Sequence, residues 1–260
     1  MHADWLRPDW PAPAHVRAVC TTRSGGVSAA PYDSFNLGDH VGDNPAHVAA
    51  NRAALQSALG ARPVFLNQVH GCDVVQLNHH TPDGTVADAC LTDQRQLACT
   101  IMVADCLPVL LTTRDGRAVA AAHAGWRGLA GQDGVGVLAQ TYKAFSALAH
   151  MNRAQEATEI IAWLGPCIGP KAFEVGSEVR AACVLQHANA ASCFVPLPHG
   201  KWLADLAGMA RLRLQALGLT QIDGNDSSAA WCTVGNASRF FSHRRDRVSG
   251  RLGCSIWLER

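Results

Sequence analysis

A thiol and two imidazoles are the side chains of this sequence that point first to chemistry. Cys106 follows Ala104-Asp105 and precedes the apolar run Leu107-Pro-Val-Leu-Leu-Thr-Thr113. His123 closes a second apolar run, Ala118-Val-Ala-Ala-Ala-His123, ahead of Ala124-Gly125-Trp126-Arg127-Gly128. Two such runs about Arg114-Asp115-Gly116-Arg117 predict a β-hairpin. With Asp115-Gly116 as a two-residue turn, Arg114 pairs with Arg117, and Cys106 stands opposite Gly125 and diagonal to His123. With a loop two residues longer, Cys106 faces His123 directly. Either register puts the thiol and the imidazole on one side of the pleat. A third candidate lies upstream, His70 in Asn67-Gln-Val-His-Gly71.

A His/Cys/His set suits a tetrahedral Zn²⁺ that keeps its fourth position for water or substrate. Water on such a zinc ionises near neutral pH and becomes a nucleophile. A metal-free alternative takes Cys106 as a thiolate nucleophile with His123 as its base. The plain alternative is that these are ordinary packed residues. Against it, both Cys106 and His123 sit at strand ends beside glycine-rich turns, where side chains meet clefts. Asp105, adjacent to the thiol, is costly to bury without a partner or a task.

Arginines form the second cluster. Arg239, Arg244, Arg245, Arg247 and Arg251 fall within one thirteen-residue segment. Paired guanidinium forks make an anion site whose natural guest is phosphate; the bland reading is a solvated charged turn. Arg23, in Thr22-Arg-Ser-Gly-Gly26, and Arg127 are candidates to join it. The sequence has no H-E-x-x-H, Walker loop, G-x-S-x-G or dinucleotide fingerprint. Pro166-Cys167 lacks the second cysteine and the H-x-E of a base-deaminase zinc site.

These groups need a scaffold, and the chain has the composition for one. It has 260 residues, 48% apolar and 17% charged, with a formal net charge of +1. That balance excludes a disordered chain and gives no global field for nucleic acid or an anionic membrane. One domain over 1–260 is the expectation, since no linker, repeat or charge block interrupts it. Asn44-Pro45 predicts a helix running to Gly60. Short apolar segments at 17–22, 63–66, 73–77, 97–103, 107–113, 117–122, 159–164 and 254–258 predict strands. Further helices are predicted at 129–149, 175–186 and 203–217. Irregular interleaving with hairpins in the middle points to α+β and away from a regular βαβ winding. No signal peptide or membrane span is visible, so a cytoplasmic protein with reduced thiols is expected, most of its ten cysteines packed as small hydrophobes.

The ordered motifs Asn67-Gln-Val-His-Gly71, Ala104-Asp-Cys-Leu-Pro-Val-Leu-Leu111, Ala121-Ala-His-Ala-Gly-Trp-Arg-Gly-Leu129, Leu164-Gly-Pro-Cys-Ile-Gly-Pro170 with Phe173-Glu-Val-Gly176, and Phe240-Phe-Ser-His-Arg-Arg-Asp246 with Gly250-Arg251 resemble one family. It is the bacterial YfiH-type family, also called polyphenol-oxidase or laccase-domain proteins, peptidoglycan editing factor and purine nucleoside phosphorylase. The resemblance extends from Thr21-Thr-Arg-Ser-Gly-Gly-Val27 and Phe35-Asn-Leu-Gly38 to the C-terminus. It implies an α/β/β/α layered fold with mixed sheets, similar to the cysteine hydrolase domain of cytotoxic necrotizing factor. It implies that His70, Cys106 and His123 are both the zinc ligands and the catalytic set. The implied activity is phosphorolysis of adenosine, inosine, guanosine and methylthioadenosine, with some adenosine deamination. Nucleoside and phosphate would then be the partners, and Arg23, Asn67, Gln68, Arg127, Arg244 and Arg245 the candidate substrate and phosphate contacts. Cys167 and His243 depart from the family pattern, where Ala and Tyr are expected, and Cys167 would add a thiol near the site. A copper-dependent polyphenol oxidase fits poorly, because no H-x-H occurs, though Cu²⁺ outcompetes Zn²⁺ on raw affinity. A cysteine-nucleophile amidase or peptidase acting on peptidoglycan precursors is the serious alternative.

Overall fold

Asn44 opens the first helix, α1 (Pro45–Leu59), as its sequence predicts: the Asn44 side chain accepts the Ala46 N–H at 2.9 Å, and Gly60 ends the helix at φ 64°. The computed structural model describes residues 2–131, 134–150 and 159–260. Most of its framework is two sheets. In the first, β1 (Val16–Cys20), β13 (Leu252–Leu258), β5 (Leu97–Val103) and β2 (Arg62–Phe65) lie in that order. The second has the order β12 (Ile222–Gly224), β8 (Ile160–Leu164), β6 (Leu107–Thr113), β7 (Val119–Ala124), β4 (Ala89–Thr92) and β3 (Val74–Gln76). Both are mixed, with β2 parallel to β5, and β3 to β4. A small third sheet joins β10 (Phe194–Pro196), β11 (Trp202–Ala204) and β9 (Glu174–Val175). The remaining helices are α2 (Trp126–Ala130), α3 (Val137–His150), α4 (Ser177–Gln186), α5 (Leu206–Ala216) and α6 (His243–Asp246).

The alternation of side chains shows how these elements stack. Val19, Ala98 and Trp257 of the first sheet bury against Leu55 and Leu59 of α1. Cys99, Ile101 and Ile256 point the other way, onto Leu110, Val119 and Ala121 of the second sheet. On its far face, Val109, Leu111, Ala120 and Ala122 pack with Leu138 and Phe145 of α3 and with Leu214 of α5. The order is therefore helix, sheet, sheet, helix, each sheet buried on both faces. That burial explains why β5, β6 and β7 read as continuous apolar runs without polar alternation. No helix among the described residues is long and apolar enough to cross a membrane.

Three expectations need correction. The helix predicted over 129–149 is interrupted: α2 ends at Gly131, at φ 81°, which an L side chain rarely adopts. A Cβ at Gly136 would stand 2.7 Å from the Leu129 carbonyl, so this turn must stay bare for α3 to begin. Strand β4, four residues of Ala-Cys-Leu-Thr, is too short and too weakly patterned to be read ahead of its neighbours. Finally, Cys20 and Cys254 are joined as a disulfide, against the expectation that all thiols are reduced. They are directly opposed on β1 and β13, a pairing hidden by a sequence separation of 234.

Candidate functional site

The hairpin takes the tighter of its two possible registers, with Leu107 opposite Ala124 and Pro108 opposite His123. Cys106 therefore lies one step beyond the last pair, across from Gly125. A Cβ at Gly125 would stand 2.9 Å from Cys106 Sγ and 3.1 Å from His70 Cδ2, so the absent side chain leaves room for both ligands. Alternation from Val119 and Ala121 puts His123 on the face toward the first sheet, at the end of β7. It is 3% exposed.

Asp88, just before β4, is the residue that organises this end, and it is fully buried. Its carboxylate pairs with His123 Nδ1 at 2.8 Å. The same carboxylate accepts the N–H groups of Val69, His70 and Gly71 at 3.2, 2.9 and 2.7 Å. His70 is held by that grip at φ 62°, in the left-handed region that a non-glycine residue adopts at a cost. One carboxylate thus sets the ring orientation of one histidine and the backbone of the other. With Nδ1 of His123 occupied, its Nε2 is the atom offered to the site.

The resulting group is compact. Cys106 Sγ lies 3.7 Å from His70 Nε2, the two imidazoles meet edge-to-face at 4.7 Å, and the three ligand atoms lie within 4.8 Å of one another. Tetrahedral Zn–S and Zn–N bonds of about 2.3 and 2.05 Å require S···N separations of about 3.5 Å. The residues present fit a metal ion of that kind. Without a metal they form an ion pair. Burial alone would raise the Cys106 thiol, but His123 and His70 pull it down to about 6. Burial would lower His123, but Cys106 and Asp88 push it up to about 9. Burial likewise raises Asp88, yet the His123 and backbone hydrogen bonds leave it below the usual carboxylate range.

Asp105 finds its partners in the C-terminal segment. Its carboxylate accepts the Thr233 hydroxyl and the Arg244 N–H, each at 2.6 Å. This brace fixes the residue before Cys106, at φ 87°, and brings α6 over the site. Between them lies a cavity of about 390 Å³ lined by the three ligands. Gln68, Arg127 and Arg244 of the predicted contacts also line it, as do Arg247, Arg251 and His40, which the sequence did not single out one by one.

The other predicted contacts stand elsewhere. Arg23 donates to the Asp33 and Ala237 carbonyls at 2.8 and 3.0 Å and lines a different surface cleft. Arg245 is consumed by the carbonyls of Thr233, Val234 and Phe240 and by Asp246. Asn67 uses its backbone to pair with Val86 and is exposed outside the cavity lining. Even Gln68, which does line the cavity, gives both ends of its amide to the Met102 backbone, each at 2.8 Å. Cys167 is buried, takes a hydrogen bond from Asn225 at 3.4 Å, and stands outside the ligand group; burial pushes its thiol well above the ordinary value.

Comparison with known proteins gives the family. The family model described as "Multi-copper polyphenol oxidoreductase laccase" matches residues 17–259. A Pseudomonas aeruginosa protein named purine nucleoside phosphorylase is 49% identical over 257 residues, 98% of each chain. The chain belongs to the YfiH-type, laccase-domain family. An Escherichia coli member, purine nucleoside phosphorylase YfiH, is 48% identical over 96% of this chain and 97% of its own. Among solved YfiH-type structures, a Neisseria meningitidis protein superposes with a TM-score of 0.88 at 44% identity, covering 99% of this chain and 100% of its own. A Bacillus licheniformis YfiH structure gives 0.83 at 28% identity, covering 99% and 100%. The copper in the family's description does not fix the metal. Among the described residues of this YfiH-type chain, His70, Cys106 and His123 are the one group of three such side chains placed to hold an ion.

Proposed function

We propose that this chain is a zinc-dependent purine nucleoside phosphorylase, acting on adenosine, inosine, guanosine and methylthioadenosine, with adenosine deamination as a side activity. One observation carries the reading: a single cavity joins a His/Cys/His ligand set to arginines without carboxylate partners. The arginines supply the anion site that phosphorolysis needs, and the ligand set can add a metal ion beside it. A phosphate oxygen must form a bond to C1′ of the sugar as the bond from C1′ to the purine nitrogen breaks. The names carried by the Pseudomonas and Escherichia relatives support the same class of reaction.

In this reading His70, Cys106 and His123 hold the metal ion, and Asp88 keeps both histidines in place for it. When bound, zinc supplies a Lewis acid and a water ionised near neutral pH, the reagent that deamination also requires. Phe173 and Ile168, which line the same cavity, offer the purine apolar contacts. The cavity arginines hold the anionic co-substrate against the sugar, where positive charge develops in the transition state. The reading places the enzyme in the cytoplasm with two small substrates and no nucleic-acid partner.

The thiolate–imidazolium pair favours a second reading, a cysteine hydrolase acting on peptidoglycan precursors. Chelation separates the two. For the phosphorylase, stripping the metal abolishes purine release from adenosine and inosine, and added zinc restores it. Activity that survives chelation but is lost in Cys106→Ser supports the hydrolase and contradicts the metal-dependent reading. Inosine formed from adenosine, lost and regained with the metal, tests the deaminase activity.

A further inference from the structure

Arg251 is unlike the other arginines of the C-terminal cluster. Arg245 gives its guanidinium to backbone carbonyls and Asp246, and Arg244 reaches the Glu174 carbonyl at 3.1 Å. Arg251 is largely buried at the cavity wall, yet only its Nη1 is used, donating to the Ser249 and Gly250 carbonyls at 2.9 and 3.1 Å. Its Nε and Nη2 have no protein acceptor among the described residues and are not sealed away from the cavity. No carboxylate among the described residues lies within ion-pair distance of it. Burying a cation without a partner is costly, and such charges are normally matched.

The fold takes trouble to put it there. The side chain of Asn36, fully buried, accepts the Arg251 N–H at 2.8 Å and the Gly38 N–H at 2.9 Å. The Leu37 N–H donates to the Arg251 carbonyl at 3.2 Å. A Cβ at Gly38 would stand 2.7 Å from Arg251 Cγ, so the Phe35-Asn-Leu-Gly38 motif is a bed for the arginine stem. Beside it, Arg247 lines the same cavity with no carbonyl or carboxylate on its guanidinium among the described residues. Burial draws the Arg251 guanidinium below its ordinary value, with Cys106 and Asp105 opposing, as expected of a charge short of a counter-ion.

We propose that Arg251, with Arg247 at the rim, is the subsite for the tetrahedral oxyanion, and that Arg245 and Arg23 are structural. The identity of that anion as inorganic phosphate rests on the phosphorylase reading; the subsite itself rests on the buried, half-used guanidinium. Two measurements on the metal-loaded protein keep the claims apart. The first is thermal stabilisation by inorganic phosphate without nucleoside. It should be present in wild type, and reduced in Arg251→Met and in Gly38→Ala, whose added carbon displaces the arginine stem without removing its charge. The second is steady-state turnover. Arg251→Lys and Arg247→Met should raise the phosphate KM by about tenfold or more, the range of a lost charge-assisted hydrogen bond, with little change in nucleoside KM. Phosphate binding that depends on Arg251 in a protein without phosphorolysis would uphold the subsite and remove the phosphorylase reading. Phosphorolysis with an unchanged phosphate KM in Arg251→Lys, Gly38→Ala and Arg247→Met would overturn the subsite. Stabilisation by a nucleoside monophosphate but not by free phosphate would also overturn it, assigning the anion to the substrate.

Discussion

Asp88 links the two histidine ligands through one buried carboxylate, and the site's geometry depends on it at the scale of single residues. Replacing an oxygen with an amide nitrogen in Asp88→Asn sets a donor against backbone N–H groups that now find acceptors. Zinc affinity is expected to fall by about 10- to 100-fold, the usual cost of losing a carboxylate behind a ligating histidine. Competition with a chromophoric chelator measures it, and an unchanged affinity would contradict the role given to Asp88. The Cys106–His123 pair makes a separate prediction for metal-free protein. With the thiol at about 6 against an ordinary 9, the thiolate form dominates above pH 6. Alkylation of Cys106 by iodoacetamide should therefore rise through about pH 6 and level off by pH 8, whereas an unshifted thiol would still be gaining rate there. His123→Gln should move that midpoint upward. The hairpin was enough to put Cys106 and His123 on one side of the pleat, whereas their grouping with His70 as a functional set was implied by the family resemblance. Asp88 was not legible, because a lone aspartate in Val-Ala-Asp-Ala-Cys has no periodicity or spacing to mark it; the partners of its carboxylate come from two other segments, residues 69–71 and the end of β7.

At the scale of elements, the hairpin was readable because Asp-Gly between two apolar runs leaves few choices of turn. The sequence left two registers open, and the structure takes the one that places Gly125 across from Cys106. Gly125 has φ −74° and ψ 167°, a conformation open to any residue, so space and not backbone freedom requires the glycine. Gly125→Ala is expected to fold with a melting temperature near wild type and to bind zinc more weakly, because the new methyl meets Cys106 Sγ. Wild-type zinc affinity in that variant would show that the close approach has no bearing on the site. The arginine-rich segment was read as one cluster, and the structure divides it: Arg244, Arg247 and Arg251 line the cavity, while Arg239 and Arg245 do not. Which guanidiniums face the cavity is decided by Asp105 and Asn36, from distant parts of the chain, and local sequence carries no record of that.

For the whole molecule, the layered order follows from apolar strands buried on both faces and helices with one buried face; the interleaving of segments suggested only a mixed α+β chain, and the layering was implied by the family resemblance. What spacing could not show is the closure of β1 on β13, which places Cys20 against Cys254 and brings Phe35–Gly38 onto the C-terminal arginines. Chain ends that pair in space give no local signal. The cavity likewise joins distant parts of the chain: its candidate ligand set has His123 at the end of β7 and His70 and Cys106 in bends outside the strands, and its cations Arg244, Arg247 and Arg251 come from the C-terminal segment. The central claim is that both halves serve one reaction, and product analysis of the zinc-loaded protein with adenosine, with and without inorganic phosphate, tests it most directly. Free purine, as adenine together with hypoxanthine from any deaminated substrate, is expected in an amount equal to ribose 1-phosphate only when phosphate is present, and none from Cys106→Ala. Adenine released at the same rate without phosphate, or free ribose in place of ribose 1-phosphate, would contradict it.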